Sequence, residues 1–164
     1  MVNTVLHDRD RLRVVASLDL DNAGMRAELD VVAERMAQET GMPVAMASVV
    51  LGTAQATAGA FGLPGWLLET GGLPVEWAFC TRAVASGGPY VVSDARNDPV
   101  QSGNPLVTVE GVGCYAGIPI TVADQVVGAA CVLGAAAHEF TDDEMQVLRR
   151  AAAEITEIIG RYRS

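Results

Sequence analysis

Apolar residues recur along this chain at two spacings, and the switch between them marks out its elements. From Gly24 to Thr40, Met25, Leu29, Val32 and Met36 follow one another at steps of four, three and four, which is one stripe of a helix. Gly41 and Pro43 stop it. Upstream, Leu12, Val15 and Leu18 among charged neighbours predict a helix over His7 to Leu20, with Asp21-Asn22 as break and cap. Near the other end, Thr141 as N-cap with Glu144 three residues on makes a capping box, and Phe140 is placed to staple onto Met145. Met145, Leu148, Ala152, Ile155, Ile159 and Tyr162 then alternate steps of three and four, the spacing of a seam that packs along another helix.

Between these ends the pattern shortens to strands. Val44 to Leu51 and Gln55 to Phe61 predict a hairpin around Gly52-Thr53, and Gly117 to Val122 with Val126 to Leu133 predict a second around Ala123-Asp124-Gln125. Val75 to Ser86 fits a short helix ended by Gly87-Gly88-Pro89, followed by a strand Tyr90-Val91-Val92. Ser93 to Gly113 is the longest irregular stretch, of the kind that is usually functional or mobile. The expectation is one α/β (α+β) domain, an antiparallel sheet with helices at both ends of the chain, without repeats or an interdomain linker.

Composition narrows the chemistry. The 164 residues are 50% apolar and the mean hydropathy is +0.27, enough for a buried core and inconsistent with disorder. All 11 basic residues are Arg, so Schiff-base chemistry and a phosphate-loop Lys are excluded. A net charge of −9 and an isoelectric point near 4.5 disfavour nucleic acid and anionic membrane surfaces. The Gly-and-apolar run Val126 to Ala137 is too short to span a bilayer, and Met1 to Arg13 is charged where a secretion signal is apolar; a cytoplasmic protein is expected. Residues 41–140 hold only Arg82 and Arg96 as cations, which favours a neutral or cationic ligand over a strongly anionic one.

Particular segments carry a resemblance. Trp77-Ala78-Phe79-Cys80, then Pro89 to Pro99, Asn104-Pro105-Leu106-Val107, Tyr115 to Ile120, and Val127-Gly128-Ala129 through Phe140-Thr141 are similar, in order and spacing, to the GAF domains of bacterial signalling proteins. The resemblance covers roughly Gly24 to Arg161. It implies a six-stranded antiparallel sheet with the terminal helices on one face and a ligand pocket under loops and short helices on the other. It also implies frequent dimerisation through the terminal helices. We therefore divide the chain into an N-terminal helical extension, residues 1–23, and a GAF domain, residues 24–162, standing alone. Met25, Leu29, Leu148, Ile155 and Ile159 are the expected dimer interface.

A GAF fold does not fix function, since the family includes cyclic-nucleotide receptors, haem and bilin sensors, metal-centre gas sensors and a free methionine sulfoxide reductase. Each alternative requires its own residues. The family's acidic and Lys nucleotide signature is absent; the two histidines, His7 and His138, fall outside the expected pocket and read as solvated; no CxxC and no G-x-S-x-G occurs. No cofactor and no metal are expected. Cys131, within Ala129-Ala130-Cys131-Val132-Leu133, reads as a small core hydrophobe, whereas Cys80 and Cys114 read either as packed thiols or as pocket residues. Asp94 and Asp98 around Arg96 read as turn chemistry or as a ligand-gripping loop, and Trp77 and Tyr115 as core or as an aromatic pocket wall. The expected ligand-binding set is Trp77, Cys80, Asp94, Arg96, Cys114 and Tyr115. The chain is expected to be a homodimeric small-molecule sensor in signal transduction and not an enzyme, with a separate signalling protein as a possible partner. The competing expectation is a thiol-based redox sensor or methionine sulfoxide reductase-like enzyme using Cys80 and Cys114.

Overall fold

Two hairpins supply the centre of a sheet. In the computed structural model, which describes residues 2–65 and 71–163, β1 (Val44–Val50) and β2 (Ala54–Phe61) form the first, and β5 (Cys114–Val122) and β6 (Gln125–Gly134) the second. β6 pairs with β1 and so joins them; β3 (Gly72–Pro74) extends the β2 edge and β4 (Tyr90–Val92) the β5 edge. The result is one antiparallel sheet in the order β3-β2-β1-β6-β5-β4. Its six strands are those the resemblance implies, although β3, only three residues long and next to Gly71, carries no periodic signal of its own. The second hairpin closes through Ala123 (φ 49°) and Asp124 (φ 65°), the two left-handed positions of a tight turn that matches strand twist.

One face of the sheet is covered by α3 (Ala23–Thr40) and the C-terminal helix α6 (Asp142–Arg161). The caps read from sequence form: Asn22 Oδ1 accepts from Met25 N at 3.0 Å, and Thr141 and Glu144 make the reciprocal capping box. The alternating seam of α6 packs on α3 and on the strands of its own chain, so Met25, Leu29, Leu148, Ile155 and Ile159 are all fully buried inside the protomer. This corrects their assignment to a dimer interface. A stripe of period 3.5 reports only that a helix packs along something, and here that is its own sheet.

The predicted helix over His7 to Leu20 is two helices, α1 (Val2–Leu6) and α2 (Arg9–Ala16), because Asp8 caps the second by accepting from Arg11 N at 3.0 Å. Arg11, not Leu12, faces inward. Its guanidinium donates to the carbonyls of Val50 at 2.8 Å, Leu6 at 2.9 Å and Leu51 at 3.2 Å, tying both short helices to the sheet end. Burial lowers its pKa from the usual arginine value, against the pull of Asp8. Only Arg carries enough donors in a fixed fork to meet three carbonyls at once.

The second face lies under α1, α4 (Cys80–Ser86) and α5 (Pro105–Thr108). The stretch Ser93 to Gly113 is less irregular than its composition predicts. It holds a short 3₁₀ turn, Ala95–Asn97, and α5, whose cap Asn104 accepts from Leu106 N at 2.9 Å. Among the described residues no helix is long and apolar enough to cross a membrane.

Candidate functional site

Strand alternation sorts the chemistry of β5. Ala116, Ile118, Ile120 and Val122 face α3 and α6, and Tyr115 faces the other side. Cys114, in phase with Ala116, therefore points to the helix face, where its Sγ lies 3.9 Å from Met42 Sδ. The sheet separates it from Cys80, so the structure does not assemble the expected Cys80–Cys114 pair. Burial pushes the Cys114 thiol up.

Cys131, assigned to inert core from its apolar neighbours, is the residue that meets Cys80. Their sulfurs are 3.6 Å apart, unbonded, and Tyr115 Oη donates to Cys80 Sγ at 3.0 Å. The ring lies along its own strand because Gly117 has no side chain: a Cβ there would fall 2.2 Å from Tyr115 Oη. Phe79 and Tyr90 pack on the same ring with centroids at 5.2 and 5.8 Å. Burial alone raises the Cys80 thiol, but hydrogen bonds to its sulfur from Cys131, Ser48 and Tyr115 outweigh it and lower the pKa; burial holds Tyr115 and Cys131 well above their usual values. All three side chains are fully buried, so this network is a polar knot in the core and has no open approach for a substrate.

An opening lies elsewhere on the same face. Met46, Leu63, Leu73, Leu106, Val112 and Leu133 line a cavity of about 170 Å³, with Glu110 among the lining residues. Sequence reasoning missed every one of these residues, since alternating apolar positions look alike whether they fill a core or line a void. Of the expected ligand-binding set, none lines this cavity. Tyr115 and Cys80 are core. Asp94 accepts from Asn97 Nδ2 at 2.7 Å, and Arg96, exposed, donates to Gly111 O at 3.2 Å. Asp98 accepts from the amides of Val100 and Gln101, both at 2.9 Å, which is turn chemistry. Trp77, 37% exposed, lines a shallow surface groove with Arg82, Val100 and Asn104. His138, expected to be solvated, is half-buried; its Nε2 lies 2.9 Å from Glu144 Oε1 and its ring packs edge-on to Phe140. Among the described residues, no three His, Cys, Asp or Glu are grouped to hold a metal ion.

A six-stranded antiparallel sheet with two long helices on one face and a small-helix roof over an apolar cavity on the other is the GAF architecture. The GAF domain family model matches residues 22–160, and the chain belongs to this family, whose members are commonly sensory or regulatory modules. Its fold is similar to the GAF domain of a phosphoenolpyruvate-protein phosphotransferase from Coxiella burnetii, with TM-score 0.71 and 15% identity over 98% of this chain and 93% of that one. It is also similar to a type II free methionine-R-sulfoxide reductase from Thermoplasma acidophilum (TM-score 0.70, 11% identity, 88% and 98% covered). A third is the free methionine-R-sulfoxide reductase from Neisseria meningitidis, solved with its substrate (0.67, 16%, 98% and 86%). Searched against curated proteins, the sequence gives no match. At these identities the likeness concerns the fold. It nonetheless overturns the expectation that the chain is not an enzyme, because enzymes and signalling domains share this architecture, and the reasoning from family to non-catalytic sensor fails.

Proposed function

We propose that this protein is a regulatory GAF module that binds a small uncharged molecule in the apolar cavity between the sheet and its roof. The cavity carries the reading: its wall is mainly aliphatic, with Glu110 at its side, and it sits beside the short elements of residues 105–112 that a ligand would reposition. Mainly apolar walls favour burial of a hydrocarbon body and offer no counter-charge to an anion. In this reading the signal passes to a second copy of the chain, or to a separate signalling protein, through the outer faces of α3 and α6. Val31, 62% exposed on α3, supports that choice, as does the mixed charge of the exposed Glu34 and Arg35 one turn further along the helix. Residues 1–23 act as an extension that clamps the domain of residues 24–162 through Arg11. The protein works in the cytoplasm in this scheme. Thermal-shift and native mass spectrometry against a panel of uncharged small molecules tests it, with Leu106→Trp filling the void. A ligand that raises Tm in the natural chain and loses its effect in the variant is expected; a panel without a single binder sinks the reading.

A further inference from the structure

Two buried side-chain polar atoms among the described residues lack a hydrogen-bond partner: Arg11 Nε, whose guanidinium is otherwise bound to carbonyls, and Gln55 Oε1 on the cavity face. Gln55 on β2 is 1% exposed, and its Oε1 has no hydrogen-bond partner among the described residues. Among the described residues its Nε2 makes one weak contact, with Met46 Sδ at 4.0 Å. A buried amide left in this state is destabilising, and such groups are uncommon in folded cores. Gln55 is registered between Val50 on β1 and Leu73 on β3, both buried on this face. Met46 and Leu73, the residues that screen it, are themselves walls of the cavity. Met46 is unbranched and flexible, so a rotamer change moves its thioether without disturbing the sheet.

Building on the cavity reading above, we propose that Gln55 is the polar anchor of the site: the ligand is a neutral, largely apolar molecule carrying an N–H or O–H donor, which reaches Gln55 Oε1 past a displaced Met46. The orphan amide is then the specificity element. The aliphatic wall accepts any hydrocarbon of suitable size, whereas a donor is rewarded only by a partner that already lacks one. A carboxylate or phosphate is disfavoured, since Glu110 stands among the lining residues and the rest of the wall is apolar, without a cation to offset the charge.

Indole and its hydrocarbon isostere indene separate the two effects. NMR titration of the natural chain is expected to show indole binding roughly tenfold more tightly, the worth of one good hydrogen bond. Gln55→Met is expected to equalise the two probes and, without any ligand, to raise Tm by removing the unpaired group. Equal affinities in the natural chain, or an indole preference that survives Gln55→Met, overturn the anchor while leaving the cavity reading in place. Failure of both probes to bind the natural chain or the variant overturns both. Should Gln55→Met fold poorly, the absence of the expected stabilisation counts against the proposal, and Gln55→Leu repeats the probe comparison.

Discussion

Gly59 and Gly160 give the same substitution opposite outcomes, because one glycine is a contact and the other an omission. Gly59 lies on β2 under α3, and a Cβ there would stand 2.4 Å from Leu29 Cβ and 2.8 Å from the Leu29 carbonyl carbon. Carbon atoms pack at about 3.5–4.0 Å, so α3 has to retreat by roughly 1 Å, because the obstacle is helix backbone as well as a side chain. That retreat also stretches the 2.8 Å bond from Ala60 N to Asp30 Oδ1, which ties helix to strand. Overpacking of this kind costs about 2–3 kcal/mol, the upper part of the usual range. For a domain of this size that is a fall in Tm of roughly 4–12 °C. Gly160, exposed near the end of α6, has nothing within 4 Å of its built Cβ and no positive φ. There Ala gains helix propensity of about 0.5–1 kcal/mol, and Tm rises by roughly 1–4 °C. Calorimetry or urea unfolding of the two variants reads the signs directly. If Gly59→Ala melts with the natural chain, α3 does not sit on β2 as described and the packing argument is wrong.

Two further predictions concern the titratable groups. None of the three thiols is exposed, so Cys80, Cys114 and Cys131 are expected to resist Ellman's reagent in the folded protein and to react only on unfolding; rapid native reaction of any of them would show an approach that the packing does not provide. For Glu144, burial pushes the carboxyl up, but hydrogen bonds from the Thr141 amide and His138 outweigh it and lower its pKa. A lowered folded-state pKa contributes stability that is complete above the unfolded value of about 4.3 and is lost as pH falls through the folded value. Glu144→Gln is therefore expected to be less stable than the natural chain at neutral pH. The gap, followed by urea unfolding across pH, should close between about pH 5 and pH 2. A gap independent of pH would mean that the charge of Glu144 has no role at the cap.

The neighbourhood of each residue decided how much of this was readable. The two caps at Asn22 and Thr141, both hairpins and the β4 strand were legible because each depends on residues a few positions apart. The candidate site was not. Cys131 looked inert because its sequence neighbours are apolar, yet its structural neighbour is Cys80, 51 positions away. Cys114 looked competent beside Tyr115, although adjacent strand residues point to opposite faces. Arg11 gave no sign of burial, since the carbonyls it meets come from Leu6, Val50 and Leu51.

By itself, then, the sequence determined the family, the number and kind of its main elements, the helix caps, the absence of Lys chemistry and a middle region poor in cations. Those follow from local spacing and from counting. Only the tertiary structure decided that the C-terminal seam is used inside the protomer and that Cys80 faces Cys131 across a buried tyrosine. It also decided that an apolar void stands on the sheet's second face, and that Gln55 Oε1 is buried on that face without a partner among the described residues. All three depend on which faces of distant strands meet, and pairing across a sheet is set by register between segments far apart in the chain.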